Sequence, residues 1–155
     1  MKANLKFYLS LFISALLLSG CAHMKGGRFG VASVRDLAVE TAASLADCYQ
    51  QKDVEKFMTL VSPKFLGGYG RFEEELTGRL SEIESVKIEL VVKKVDEGED
   101  RVFVETEWSG AVIGADGRKE DISGKSGFTF IRYDKNVLKL FSVSGDSVFL
   151  GGSPR

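Results

Sequence analysis

The sequence is poor in the side chains that most catalytic and cross-linking chemistry draws on. It holds one histidine, two cysteines, two prolines and one tryptophan in 155 residues. With His23 as the single imidazole, no Ser–His, Cys–His or His–carboxylate pair can be assembled inside a folded domain. No histidine-rich metal site is available either. An excess of one charge is also lacking: 21 Lys+Arg stand against 22 Asp+Glu, a net of −1. That balance argues against a nucleic-acid partner, which needs a basic face to displace counterions from phosphates. No run of apolar residues is long enough for a permanent membrane span. What remains is 44% hydrophobic and 28% charged, the composition of a globular chain rather than a disordered or collagen-like one.

The first twenty residues read as an address. Met1 to Lys6 carries two lysines and no acid, and Phe7 to Leu18 is a mostly apolar run of 12 residues. At 1.5 Å per residue such a helix reaches about 18 Å, short of a hydrocarbon core about 30 Å thick. A basic start, a short apolar stretch and small residues after it define a secretory signal. Leu18-Ser19-Gly20-Cys21 follows at once.

These four residues resemble the lipobox of bacterial lipoproteins at every position. The resemblance implies cleavage before Cys21, a diacylglycerol thioether on its sulfur and acylation of the new amino group. Stable anchoring needs two acyl chains or a second signal, so the acylated Cys21 is expected to hold the protein in the membrane by itself. In lipoproteins of enteric type an aspartate after the cysteine favours inner-membrane retention. Ala22 stands there instead, so the expected location is the cell envelope, in the outer membrane facing the periplasm.

Ala22 to Gly30 has no period and three glycines, and reads as a tether of at most about 30 Å. The expected organisation is therefore a signal peptide over 1–20, a lipidated tether over 21–30, one domain over 31–146 and a tail over 147–155. Removing Lys2 and Lys6 with the signal leaves 19 bases against 22 acids, a net of −3. If Cys21 is a thioether, Cys48 is the only thiol left and no disulfide forms.

Helical periodicity runs from Val31 to Gln51, with Val34, Leu37, Ala38, Thr41, Leu45, Cys48 and Tyr49 on one stripe. Cys48 on that stripe reads as a small core hydrophobe rather than a redox thiol. Asp53 caps a second helix with Val54, Phe57, Met58 and Val61 as its apolar face, and Ser62-Pro63 ends it. Phe65 to Gly70 reads as a glycine-rich loop at the rim. Phe72, Leu76, Leu80 and Ile83 mark a third helix with Glu73, Glu74 and Glu75 in its first turn.

From Val86 the period falls to two, and four strands follow, separated by turn-rich segments short enough to require an antiparallel meander. A three-residue loop at Ala115–Gly117, with Gly117 left-handed, sets Glu107 opposite Lys125 and Val104 opposite Phe128. The same parity sets Val92 opposite Val104 and Phe130 opposite Leu140. Even-numbered residues from Val86 to Leu140 then face the helices. Glu105 and Glu107 face outward with Lys87, Glu89, Lys93 and Lys125. The fold class is α+β: three N-terminal helices packed on a curved four-stranded antiparallel meander.

This order resembles the nuclear transport factor 2-like superfamily, the cone-shaped, cystatin-like fold that includes ketosteroid isomerase and scytalone dehydratase. It covers Val31 to about Asp146. The isomerases carry an acid near the pocket mouth, after the second helix, and a tyrosine/acid oxyanion pair. The corresponding stretch, Ser62 to Tyr69, has no acid, and no inward strand position is acidic. No catalytic residue, cofactor or metal is therefore assigned.

A candidate ligand pocket comes from size contrast. Trp108 lies across from Gly124 and Thr106 across from Ser126, which leaves room for a small apolar ligand with a polar end, walled by Tyr49 and Tyr69. The competing reading is that Trp108 covers Gly124 and completes a core. Phe103, Ile131, Phe141 and Val143 form an apolar patch on the outward face. It is expected either to pair with a second copy or to lie under the tail, Ser147 to Arg155. The function expected is a non-catalytic, membrane-anchored binding module for a small apolar ligand or a protein partner. The alternative is a ketosteroid isomerase- or dehydratase-like enzyme acting without histidine, through Tyr49, Tyr69 or an inward-turned Glu105 or Glu107.

Overall fold

A computed structural model of the chain describes residues 32–150. Residues 1–31 and 151–155, with the expected signal peptide, the expected lipidation at Cys21 and the expected tether, lie outside the described residues. Helix α1 (Val34–Gln50) begins where Ser33 and Asp36 cap each other reciprocally: the Asp36 amide donates to Ser33 Oγ at 3.1 Å, and the Ser33 amide donates back to the Asp36 carboxylate. This box starts the helix three residues later than the apolar period alone. Lys52, at φ 57°, turns the chain, and Asp53 caps α2 (Val54–Thr59) by accepting from the Lys56 amide at 2.9 Å.

Helix α3 (Tyr69–Ser81) starts earlier than its apolar stripe suggested. Gly67 and Gly68 both have positive φ, so the loop turns on two glycines and releases Tyr69 and Gly70 into the helix. Glu73 to Glu75 consequently lie beyond the first turn. Ile83, expected at the end of this helix, opens the sheet instead.

Strands β1 (Ile83–Glu97), β2 (Arg101–Gly114), β3 (Lys119–Asp134) and β4 (Val137–Gly145) form one antiparallel sheet in sequence order. The central register is the one read from the Ala115–Gly117 loop: Glu107 faces Lys125 and Val104 faces Phe128. Gly117 has φ 77°. Phe130 faces Leu140 as expected.

Of the four register shifts in the flanking pairs, at Glu84, Lys93, Tyr133 and Phe141, two move residues placed above. Val92 faces Thr106, not Val104, because the strands pair down to Glu97–Val102 and an extra residue is absorbed at Lys93. Beyond that bulge Val95 faces Val104 and packs against the core. The second bulge falls at Phe141, between the Phe130–Leu140 and Thr129–Ser142 pairs. It turns Val143 inward, opposite Phe128. A bulge exchanges the faces of every residue after it, so Val143 leaves the outward patch.

The tail reading also changes. Gly145, at φ 78°, swings the chain back over the end of the sheet. Val148 and Phe149 are buried, so Ser147 to Leu150 belongs to the core and does not cover the outward face. The hydrophobic core joins Leu45, Tyr49, Phe57, Leu76, Val104, Phe128, Leu140 and Phe149. Residues Leu60 to Leu66 run along the open edge of β4. The Ser62 amide donates to the Leu140 carbonyl at 2.8 Å and the Leu66 amide to the Phe141 carbonyl at 2.7 Å. At the other edge, the Ile88 amide donates to Gln50 Oε1 at 3.0 Å and Lys52 Nζ donates to the Ile83 carbonyl. The two contacts run in opposite chain order.

Candidate functional site

The inward surface of the sheet was the place to look for a ligand. Trp108 does lie on Gly124, but the ring takes the space itself. A Cβ placed on Gly124 would stand 2.6 Å from Trp108 Cζ2 and 2.8 Å from Asp146 Cβ. The polar atoms around it serve one another. Trp108 Nε1 donates to Ser126 Oγ at 2.9 Å and to the Asp146 carbonyl at 3.3 Å. Ser126 Oγ in turn donates to the same carbonyl, and Thr106 Oγ1 donates to the Ser126 carbonyl at 3.0 Å. Hydroxyls expected on a pocket wall thus close a buried network.

The helical side is filled as well. The Phe149 ring stacks on Phe128 at 5.6 Å and meets Phe57 edge-on at 4.9 Å and Tyr49 at 5.5 Å. Offset and edge-on rings at such separations attract beyond their area burial. Tyr49 is buried, and burial pushes its phenol pKa up, with the Arg79 guanidinium beside it acting in the opposite sense. Tyr69 sits at the loop and donates its hydroxyl to the Met58 carbonyl at 3.3 Å. Of the six residues of the candidate pocket, Thr106, Trp108, Gly124 and Ser126 come together, Tyr49 and Tyr69 pack elsewhere, and Thr106 and Ser126 border a groove on the sheet. Phe149 was the residue missed. Its only signal was the apolar pair Val148-Phe149 in an otherwise small and polar terminus.

The outward surface is different. Glu105 and Glu107 both project from it, as read from the sequence. Glu107 is held between Lys93 at 3.0 Å and Lys125 at 3.2 Å, and these two ammonium groups hold its carboxyl below the usual carboxylate range. Phe103 lies across Gly127, where a Cβ would stand 2.9 Å from the ring. Phe103, Glu105, Glu107, Lys93, Lys125 and Ser144 line a groove of about 280 Å³. Arg101 caps the Phe141 ring at 4.7 Å and Lys139 the Tyr133 ring at 4.5 Å. Register then arranges this face in rows: Glu105, Gly127 and Ser144; Phe103, Thr129 and Ser142, with Phe141 in the bulge beside them; and Arg101, Ile131 and Lys139.

A second groove, about 300 Å³, lies at the rim between Phe65, Leu66, Arg71, Phe72, Val143 and Leu150. Among the described residues, no group of three or more His, Cys, Asp or Glu side chains comes together as a metal site. Cys48 is a buried free thiol, and burial pushes its pKa up.

No protein-family model and no curated protein matches this sequence. Solved structures do. A dehydratase candidate of the nuclear transport factor 2-like family from Streptomyces avermitilis has a TM-score of 0.64 at 15% identity, over 72% of this chain and 94% of its own. An aromatic ring hydroxylase candidate from Novosphingobium aromaticivorans reaches 0.62 at 14% identity, over 76% and 92%. An association-domain candidate of the calcium/calmodulin-dependent protein kinase type II kind, from Thiobacillus denitrificans, reaches 0.57 at 7% identity, over 68% and 90%. The chain has the nuclear transport factor 2-like fold. At these identities the likeness is one of fold alone, and one fold hosts many functions.

Proposed function

We propose that this protein is a lipid-anchored envelope component, held in the outer membrane through acylated Cys21 and facing the periplasm, whose domain is a non-catalytic docking module. The observation that carries the reading is the occupied interior: Phe149 and Trp108 fill the space where a small molecule would bind. An isomerase or dehydratase of this fold needs an open, acid-bearing cone, and Glu105 and Glu107 point the other way. Recognition then falls to the outward face, and its partner is a protein. A second copy fits the row pattern. About a two-fold axis along the Phe103–Thr129–Ser142 row, Arg101 of one copy opposes Glu105 of the other. Isologous pairing requires a patch that complements itself in this way.

Native mass spectrometry of the protein purified from its own cells tests the reading. The expected species is a dimer, or a complex with a second protein, carrying no small molecule. A retained apolar ligand on a monomer would overturn it. The anchor is tested separately. Cys21→Ser should release the protein from the membrane fraction and abolish incorporation of labelled fatty acid.

A further inference from the structure

We propose that the free edge of β1 pairs with β1 of a second copy through Leu90 and Val92, so that two sheets join side by side with Val91 facing its counterpart. This contact uses a different surface from the sheet-face pairing proposed above and goes beyond it. β1 is an outer strand of the sheet. The Ile88 amide donates to Gln50 Oε1 and so points away from β2. Pairing with β2 runs without a shift from Ser85 to Val92, and backbone groups alternate in direction along an antiparallel strand. The amides and carbonyls of Leu90 and Val92 therefore point outward from the edge as Ile88 does. Among the described residues, no hydrogen bond reaches them from outside the sheet. Such an edge is a template for another strand. It is open over a short window only, because Gln50 holds Ile88 and the bulge at Lys93 interrupts the other side. The window is apolar on both faces: Leu90 and Val92 are half-buried on the helix side, and Val91 is 46% exposed on the other.

The window complements itself. A two-fold antiparallel pairing that uses only free backbone groups sets Leu90 of each copy opposite Val92 of the other, and this centres it on Val91. Glu89 of each copy then stands opposite Lys93 of the other. Glu89 is exposed, and Lys93 reaches Glu107 on the outward face at 3.0 Å, so both share that face with Val91. Centring on Leu90 instead would set Lys87 against Lys93 and would need the Ile88 amide that Gln50 holds. Centring on Val92 would set Val91 against Lys93. Opposite charges directly across two strands attract and like charges repel, which selects the Val91 register. Two-fold symmetry then supplies the same match twice, as an isologous contact requires. Two hydrogen-bonded pairs make a small contact, well below the size of a stable interface. It forms where copies are already concentrated, as on the membrane that the Cys21 anchor proposed above would provide, and adds little to association in dilute solution.

The test is disulfide trapping of the full chain in membranes of its own cells, with copper–phenanthroline in air as oxidant. Cys48 is buried, and the unsubstituted chain is the control. Directly opposed residues of a non-hydrogen-bonded pair lie within disulfide reach, so Val91→Cys should give a cross-linked dimer. Glu89→Cys, on the same face but opposite Lys93, should give several-fold less. In the Val91→Cys background, Glu89→Lys should lower the yield several-fold by facing Lys93 with a like charge. Val92→Pro should abolish it, since it removes an amide that β2 does not use. The yield should persist in Phe103→Ala, which removes the face contact. Equal yields at positions 89 and 91, or no dimer at 91 while the protein stays in the membrane fraction, overturn the edge contact and leave the anchor standing. Loss of the Val91→Cys dimer in Phe103→Ala assigns the cross-link to the face contact and overturns the edge contact as well. If the chain is absent from the membrane fraction, the anchor falls, and the same trapping on the concentrated purified chain decides the edge contact: a dimer specific to position 91 supports it and none overturns it.

Discussion

Val102, Val104, Thr106 and Trp108 alternate along β2 with Phe103, Glu105 and Glu107. The first set is buried and its hydroxyl and indole groups both donate to Ser126, whereas the second set carries charge, an aromatic ring and a groove. Both faces belong to the same strand, and the pleat alone separates them. The contrast shows where the fold leaves room for specificity. Inside, the C-terminal turn and one indole complete the packing. Outside, side chains are arranged in rows that no other described segment covers. The fold alone does not decide what a protein does.

The sharpest way to break this comparison is to remove the ring that fills the cone. Phe149→Ala should cost about 3–5 kcal/mol in denaturant unfolding, as for a large-to-small core substitution. Phe103→Ala, on the outer face, should cost the monomer no more than about 1 kcal/mol while abolishing self-association in sedimentation. If the two values came out equal, the C-terminal turn would be an accessory and the interior would be available for a ligand. Gly124→Ala comes next, at about 1–3 kcal/mol. A methyl group there meets the Trp108 ring at 2.6 Å, and overpacking forces ring or backbone to shift.

Charge reversal sharpens the outer half. Arg101→Glu should weaken self-association by about tenfold or more, since like charges would oppose Glu105 of the second copy. Combining it with Glu105→Arg should restore most of the loss. Recovery in the double variant separates a two-fold pairing from docking of an unrelated protein, which would suffer from both changes. A strictly monomeric wild-type profile across the micromolar range would remove the second copy as the partner.

Much of this contrast could be read from the residues. Period-two alternation and the Gly117 turn together determine which side of β2 and β3 each residue takes, and they place Glu107 by Lys125. The bulges at Lys93 and Phe141 could not be read in that way. One extra residue shifts the inward positions from even to odd, and one apolar residue beyond each bulge, Val95 or Val143, is too short a run to reveal the shift. Val143 was misplaced for that reason. Trp108 and Gly124 were paired correctly, but a small residue beside a large one describes a filled site as well as an empty one. Phe149 lies in a segment without period, so no pattern signals its burial. Only the cost of leaving Val148 and Phe149 in water argues for it. Cys48 was legible, and its test is simple. The folded protein should resist a thiol reagent and react fully in denaturant, because burial both blocks the sulfur and disfavours the thiolate.

The smallest effect expected concerns Glu107, where the outer face is most strongly charged. Lys93 and Lys125 hold its folded pKa below the ordinary value of 4.5. A carboxylate whose pKa is depressed on folding binds fewer protons in the native state, so its contribution is present above the unfolded pKa. It is lost as pH falls through the folded value. The pair is solvent-exposed and screened by salt, so the gain is small. Glu107→Gln should lower the melting temperature slightly and by a constant amount between about pH 6 and pH 8, and the gap to wild type should close below about pH 4. Lys125→Gln alone should do less, since Lys93 still faces the carboxylate at 3.0 Å. A gap that widened on acidification would mean that folding raises the Glu107 pKa instead of lowering it, and the outer face would then hold the kind of acid that the alternative, enzymatic reading requires.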